Sequence, residues 1–188
     1  MKKLMAMIVC LGMFGFAGVV GATPLTFTDT TMFTATGTNP AEDLDKFGWG
    51  DVNKLDGLLD YVKWTHHYDF IPPAEEVLTG SLTLALRDDN DPGWFKAELA
   101  IGWAESGEWD LGEVDTGSYT YGVTASYLAD GEFTITLASL GGDFYIDRSD
   151  LEITYNPAPV PEPSTILLMG TGLLGIIGFG RKKLNKKV

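Results

Sequence analysis

The fold class of this 188-residue chain is decided by one stretch, Val77-Leu78-Thr79-Gly80-Ser81-Leu82-Thr83-Leu84-Ala85-Leu86-Arg87. Leu82, Leu84 and Leu86 occupy every second position here, with Thr83 and Ala85 between them. Successive side chains of a β-strand point to opposite faces of a sheet, so the leucines share one face. The stretch is therefore predicted to be a strand with one face in a core and the other towards solvent.

The same period continues on both sides of this strand. It runs through residues 61–70, 94–103, 118–128, 133–137 and 151–155. Turn residues separate these segments, and Asp130-Gly131 is predicted to be a tight hairpin turn. Seven or eight short strands at this spacing are typical of an all-β antiparallel β-sandwich, and a jelly-roll arrangement is favoured. The sandwich is predicted to occupy residues 23–155.

Two segments near the start of the domain break the alternation. Residues 34–51 are rich in Gly, Asn and Asp and are predicted to form a long loop carrying Phe47 and Trp49. Residues 53–60 have leucines at helical spacing, which predicts one short helical turn. Trp64 and Trp103 lie on alternating apolar faces, and both are expected in the core.

Residues 1–22 have the organisation of a secretory signal peptide. A basic start, Met1-Lys2-Lys3, precedes an apolar run and the small residues of a cleavage site, so the mature chain is predicted to begin at Thr23. The single cysteine, Cys10, lies inside the apolar run, and Val9 before it argues against a lipoprotein signal. The mature protein would then hold no thiol for a disulfide, a nucleophile or a metal.

The other end of the chain has three parts. Residues 156–163 carry proline at alternate positions, which predicts a stiff, extended spacer. Residues 164–180 are uncharged, apolar and glycine-rich, and are predicted to be a transmembrane helix. Residues 181–188 contain five Lys and Arg residues, which favour the cytoplasmic side of a membrane.

The order of these parts resembles a known sorting signal. Pro161, Glu162 and Pro163 stand directly before the apolar run, and Arg181-Lys182-Lys183 follows it. This resembles the PEP-CTERM tail, which bacterial exosortases recognise on exported surface and matrix proteins. The resemblance implies an exosortase as partner, transient passage through the inner membrane, and delivery to the cell surface or extracellular matrix of a Gram-negative bacterium that makes exopolysaccharide. A single-pass anchor that is never cut is the alternative.

The part between the two signals is strongly acidic. Of 13 Lys and Arg residues, two lie in the leader and five in the tail, while 25 of the 26 Asp and Glu residues lie between them. Six basic against 25 acidic residues give this part a net charge of −19. Such a field argues against nucleic acid and anionic lipid as partners.

Residues able to perform catalysis are sparse, and no catalytic residue is predicted. His66 and His67 are the only histidines, and neighbours on a strand point to opposite faces, so they cannot readily share one site. His66 is expected to be a hydrogen-bonded core residue. The G-x-S-x-G signature of a serine nucleophile does not occur. The domain is therefore expected to be non-enzymatic. A polysaccharide hydrolase is kept as a third hypothesis, after a surface or matrix protein and a binding module.

Two ligand sites are predicted. Asp88, Asp89, Asn90 and Asp91 crowd hard oxygen atoms into one turn, which suits calcium as a cofactor, although a solvated turn is the simpler interpretation. Trp49 and Trp109 are flanked by Gly, Glu and Asp and are candidates for stacking on sugar rings. The expected function is that of a non-enzymatic surface or matrix protein, with a carbohydrate-binding or calcium-stabilised adhesive module as the alternative.

Overall fold

The computed structural model describes residues 23–88, 98–105, 107–159 and 170–173, with the backbone alone at 108–111. The chain divides into two compact units, Met1–Ala158 and Pro159–Val188. The described part of the first unit is built from β-strands whose pairings are all antiparallel. The predicted all-β antiparallel architecture is confirmed.

The strand bounds follow the chain in simple order. The strands are β1 (Leu25–Thr34), β2 (Gly37–Asn39), β3 (Asp43–Trp49), β4 (Lys54–His67), β5 (Ala74–Asp88), β6 (Leu99–Ala104), β7 (Gly107–Glu113), β8 (Gly117–Val123), β9 (Glu132–Gly141) and β10 (Asp143–Pro157). One short 3-10 helix, Ala125–Tyr127, lies between β8 and β9.

The strands form two sheets. The first sheet has the order β2-β1-β10-β5-β8, and the second has the order β3-β4-β9-β6-β7. A short pairing joins them at one end, where residues 143–145 of β10 lie opposite residues 54–56 of β4. β4 and β10 are therefore paired where they begin and then enter different sheets.

The core lies between the inner faces of these sheets, which makes the fold a β-sandwich. Phe33 of the first sheet and Trp64 of the second meet edge to face, with ring centroids 5.0 Å apart. The alternating leucines of β5 are buried as predicted, as are the inward residues of β4, β9 and β10. Burial of each such large side chain stabilises the fold by roughly 1.5–3 kcal/mol.

The two irregular segments expected near the start are strands instead. Residues 34–51 hold the whole of β2 and β3, so the prediction of a long loop was wrong. Residues 54–60 begin β4, so the predicted helical turn was also wrong: Leu55 is fully buried, while Leu58 and Leu59 point into solvent. Sheet pairing with β10 and β3 overrides a weak local preference, as tertiary context commonly does.

Two further expectations fail because alternation does not show which face is inside. In β6 the small residue Ala100 faces the core, and Trp103 is 42% exposed, so its predicted core position was wrong. Asp130-Gly131 does not close a hairpin, because β8 pairs with β5 while β9 pairs with β4 and β6. The turn instead carries the chain from one sheet to the other.

The last strand continues into the proline-rich segment. Asn156 lies opposite Glu76, and Pro157 lies opposite Ala74 at the end of β10. The N–H of Ala158 donates to the Pro73 carbonyl over 2.7 Å. Sheet pairing thus extends past residue 155.

Candidate functional site

A groove of about 450 Å³ lies at the edge of the second sheet, where β3 meets β4. We call it the Trp49 groove. β3 pairs with β4 alone among the described strands, so it forms an edge of the sheet. The groove is lined by Lys46, Phe47, Gly48, Trp49, Asp56, Leu58 and Asp60.

A bulge in β3 presents the indole of Trp49 to solvent. Phe47 lies opposite Tyr61, but Trp49 lies opposite Asp56, so the register shifts between the two aromatic residues. Gly48 makes this possible with φ +118°, where an L side chain is strained, and a Cβ there would strike the carboxylate of Asp60. The Trp49 side chain is 81% exposed as a result.

A buried ion pair supports the bulge from below. Asp60 is only 2% exposed, and its carboxylate is paired with the ammonium of Lys46. The second oxygen, Oδ2, accepts the backbone N–H of Asp56 over 3.0 Å. Loss of one partner of a buried pair is strongly destabilising because it leaves an uncompensated charge. The pair therefore fixes β3 on β4 directly beneath the groove.

The second aromatic ring of the groove is held by stacking. The rings of Phe47 and Tyr61 lie 5.6 Å apart at 17°, and the Tyr61 hydroxyl donates to Asp45 Oδ2 over 3.3 Å. Phe47 remains 61% exposed. Its outer ring face is consequently available while its orientation is fixed.

Two exposed leucines follow each other in β4, and the first of them, Leu58, lines the groove. Leu58 is 71% and Leu59 is 60% exposed. Leu59 has φ +66°, a left-handed conformation that is unfavourable for an L residue by roughly 1–2 kcal/mol. Leu58 shares the groove lining with Phe47 and Trp49, so these three exposed side chains form an apolar patch, and such patches mark interaction sites more often than isolated exposed residues do.

Only some of the residues predicted to bind sugar or metal lie within the described part of the structure. Trp49 lies in the groove, whereas the side chain of Trp109, in β7, lies outside the described residues. Asp88 ends β5, and its N–H donates to Thr116 Oγ1 over 3.1 Å. Asp89, Asn90 and Asp91 lie outside the described residues. Within the part of the chain that is described, no group of three or more His, Cys, Asp or Glu residues is arranged to hold a metal ion.

His66 is buried at the centre of the sandwich, as predicted. Its Nδ1 lies 2.7 Å from Asp29 Oδ2, and its Nε2 lies 2.9 Å from Ser149 Oγ. The indole N–H of Trp64 points to the same Nε2 over 3.4 Å. Because a carboxylate only accepts and an indole N–H only donates, these partners assign the ring hydrogen to Nδ1. The imidazole thereby links β4 to β1 and β10 of the first sheet.

This network has the residue types of a catalytic triad but lies in the interior. Asp29, His66 and Ser149 stand in the order carboxylate, imidazole and hydroxyl, with hydrogen-bond distances throughout. His66 and Ser149 are both fully buried between the sheets. A nucleophile must meet its substrate at the surface of a cleft, so the described structure gives Ser149 the setting of a core residue.

Three acidic residues, Asp29, Glu42 and Asp43, lie near the two histidines of β4. Exposed His67 lies 3.3 Å from Asp43 Oδ2, on the opposite face of β4 from His66. Burial, together with the negative charge of Asp29, raises the pKa of Glu42, and the histidines only partly offset this. Glu42 is thus harder to ionise in the folded protein than in the unfolded chain.

Sequence reasoning found Trp49 but missed the residues that position it. Phe47 and Lys46 were assigned to a loop, and Leu59 to a helical turn. The one available signal was Gly48-Trp49-Gly50, in which glycines on both sides of an aromatic residue indicate an unusual backbone. The pairing of Lys46 with Asp60 depends on the register of two strands, which one sequence does not show.

The C-terminal segment is matched by a family of sorting signals. Residues 159–183 match the PEP-CTERM protein-sorting motif. The chain carries a PEP-CTERM sorting motif. The resemblance seen in the sequence is confirmed, although the PEP-CTERM residues Pro161, Glu162 and Pro163 lie outside the described residues. The same holds for the signal peptide and for most of the predicted transmembrane helix, of which residues 170–173 are described and helical. No helix in the described ranges is long and apolar enough to cross a membrane.

Comparisons beyond the PEP-CTERM segment concern the fold alone. A family two carbohydrate esterase from Cellvibrio japonicus matches with 11% identity and a TM-score of 0.41, over 73% of this chain and 37% of that one. The CBM36-1 domain of a multidomain xylanase from the hindgut metagenome of Trinervitermes trinervoides matches with 19% identity and a TM-score of 0.39, over 71% and 100%. The C-terminal CBM6 of LamC, a marine laminarinase from Zobellia galactanivorans, matches with 13% identity and a TM-score of 0.37, over 66% and 98%.

These similarities do not indicate a ligand for this chain, because the TM-scores are low. The chain also spans little more than a third of the esterase structure. A search of curated protein sequences found no match.

Proposed function

We propose that this protein is an exported, non-enzymatic component of the cell surface or extracellular matrix, and that its β-sandwich binds a matrix polysaccharide in the Trp49 groove. A membrane-bound exosortase of a Gram-negative host would recognise Pro161-Glu162-Pro163 and process the chain there after export. The matched sorting motif supports the first part of the proposal, and the exposed Trp49 side chain carries the second.

The groove chemistry favours a sugar. One face of a sugar ring carries C–H groups, which are attracted to the negative face of an aromatic ring. Trp49 and Phe47 offer two such rings, 81% and 61% exposed. The exposed carboxylate of Asp56 lies in the same lining and can accept hydrogen bonds from hydroxyl groups.

The strand order supports a jelly-roll form of the sandwich. Leaving aside the short β2 and the edge strand β3, β1-β10-β5-β8 face β4-β9-β6-β7, so strands from early and late in the chain alternate within each sheet. This double-sheet arrangement is common in lectin domains. Among the described strands, the edge of β3 is left without a second partner, which suits a ligand at that edge.

The binding proposal is tested by titrating the mature protein, purified from its host, with the extracellular polysaccharide of that host. Trp49→Ala should weaken binding by about tenfold or more, equivalent to about 1.4 kcal/mol. Because the indole is exposed, the melting temperature should hardly change. The matched control is Tyr127→Ala, which removes a 40% exposed ring from the 3-10 helix.

Unchanged affinity in Trp49→Ala would overturn the assignment of the groove. The chain length of the polysaccharide is measured after the same incubation. It should stay constant, and shortening by the wild type would establish a hydrolase instead.

A further inference from the structure

The charged groups that line the Trp49 groove do not balance. The lining holds one basic residue, Lys46, and two acidic residues, Asp56 and Asp60. Lys46 is paired with the buried Asp60, so these two charges compensate each other beneath the groove. Asp56 is exposed, and none of the ion pairs among the described residues includes it. The groove therefore presents a net negative charge to its occupant.

A second lysine stands two residues before Asp56 on β4, but another carboxylate holds it. The ammonium of Lys54 forms a salt bridge with Asp143 at the start of β10. The hydrogen bond to Asp143 is the main cause that raises the pKa of Lys54, against the effect of burial, and the charge of Asp56 makes the smallest contribution. The carboxylate of Asp56 therefore remains available to a ligand.

The strand register places this carboxylate beside the exposed indole. Trp49 of β3 lies opposite Asp56 of β4, and the Cβ atoms of such a pair are about 4.5–5.5 Å apart. Phe47, two residues earlier in β3, lines the same groove. A cation is attracted both to a carboxylate and to the face of an aromatic ring, most strongly to that of tryptophan. An ammonium group in the groove would meet both partners at once.

The field of the whole domain acts in the same direction. The exported part carries a net charge of −19, with six basic residues against 25 acidic ones. Such a field raises the local concentration of cationic polymers and repels carboxylated or sulfated ones. A polysaccharide becomes cationic when its sugar rings carry amino groups that are not acetylated. Its rings also offer the C–H face that stacks on an exposed aromatic side chain, which a lysine-rich peptide lacks.

We infer that the Trp49 groove recognises an amino sugar, so that the polysaccharide bound by this protein carries free ammonium groups. The inference rests on the proposed function and names the chemical class of its ligand. The sugar ring stacks on Trp49, and the ammonium group donates to the carboxylate of Asp56. An acetylated or neutral sugar keeps the stacking and loses the attraction between charges.

The first test compares the host polysaccharide with the same polymer after N-acetylation, which converts each ammonium group into a neutral amide. The acetylated polymer, titrated into the mature protein at low salt, should bind about fivefold more weakly than the untreated one. Asp56→Asn should bind both forms nearly alike. The matched control is Asp115→Asn, which removes an exposed carboxylate from the loop before β8 and should keep the wild-type preference. Melting temperatures of both variants check folding.

The second test uses defined probes. Oligomers of glucosamine and of N-acetylglucosamine, equal in length, should show the same preference for the amine. This preference should disappear at about pH 9, where an amine of this kind is largely neutral, and it should shrink at high salt. Trilysine carries ammonium groups without a sugar ring, so its binding should not depend on Trp49.

Four results would count against these proposals, and they are distinguishable. If the untreated polymer binds through Trp49 and acetylation leaves its affinity unchanged, the inference is wrong and the proposed function stands. If Asp115→Asn removes the preference as fully as Asp56→Asn does, the field of the domain is responsible and not the groove, which also overturns the inference. If Trp49→Ala weakens trilysine and the glucosamine oligomer equally, the groove takes a cationic peptide and the inference is again wrong. If neither form of the polymer binds, the proposed function fails together with the inference.

Discussion

The ring of Phe47 on the edge strand lies nearly parallel to the ring of Tyr61 on β4, with centroids 5.6 Å apart. A directly opposed cross-strand pair of this kind stabilises a sheet by roughly 0.2–1 kcal/mol. Its larger consequence is for binding, because a ring held in place before the ligand arrives loses little conformational entropy on association. Tyr61 is therefore a positioning residue for Phe47.

We expect Tyr61→Ala to weaken polysaccharide binding by several-fold, because Phe47 would lose its stacking partner. Tyr61→Phe keeps the ring and loses only the hydrogen bond to Asp45, so its affinity should match that of the wild type. Titration calorimetry on both variants is the measurement. Equal loss of affinity in the two variants would assign the effect to the hydroxyl group and not to the stack.

Gly48→Ala is expected to lower the free energy of unfolding by about 1–3 kcal/mol. The added methyl group would meet the Asp60 carboxylate, in a left-handed backbone conformation that disfavours a side chain. Denaturant unfolding measures the change. Gly117→Ala in β8 is the control, since no atom lies within 4 Å of a Cβ at that position, and a similar loss in both variants would contradict the account of the bulge.

His66→Ala should reduce the free energy of unfolding by roughly 1–3 kcal/mol, because it leaves Asp29 and Ser149 without their buried partner. His67→Ala removes an exposed ring from the same strand and should have little effect. Thermal unfolding of the two variants makes the comparison. A larger loss in His67→Ala would show that the two faces of β4 have been assigned the wrong way round.

The raised pKa of Glu42 predicts a pH-dependent effect. Below its ordinary value of 4.5 the carboxyl is protonated in both the folded and unfolded states, so its ionisation then has no influence on stability. As the pH rises through the folded pKa, ionisation of this partly buried carboxyl, next to the negative charges of Asp29 and Asp43, destabilises the fold. Glu42→Gln should therefore be more stable than the wild type at pH 7, and this advantage should fade below about pH 4.5.

Unfolding curves at pH 4 and pH 7 measure that difference. Glu75→Gln, the same substitution at an exposed position on β5, is the matched control for general effects of losing one negative charge. An advantage of Glu42→Gln that is equal at both pH values would show that the gain comes from packing and not from charge.

The sorting motif predicts a defect in processing without a defect in insertion. Replacement of Pro161-Glu162-Pro163 by three alanines leaves the apolar run 164–180 intact, so the chain should still reach the membrane. Uncut protein should then accumulate in the inner-membrane fraction. Mass spectrometry of the protein from each fraction tests this. Normal processing of the variant would contradict recognition of Pro161-Glu162-Pro163 by an exosortase, whereas a wild-type protein that is itself uncut would favour a plain anchor.

Period-two alternation predicted the strands whose inner face is large and apolar. β5 is the clearest case, since its three leucines face the core as their spacing indicates. The pattern could not predict which face of β6 lies in the core. Alternation divides a strand into two faces but does not show which is buried, and in β6 Ala100 faces inward and Trp103 outward.

The candidate site was predictable only at Trp49, whose glycine neighbours mark it in the sequence. The remainder depends on long-range pairing. Lys46 meets Asp60, and Phe47 meets Tyr61, only once β3 and β4 lie in their observed register.

Retention in the matrix tests the central claim most directly. Host cells producing wild-type protein or Trp49→Ala are separated into cells, polysaccharide matrix and medium, and the protein in each fraction is quantified. The account predicts that both are processed alike, that the wild type remains with the polysaccharide, and that Trp49→Ala is released into the medium. Trp49→Ala retained in the matrix to the same extent as the wild type would contradict it.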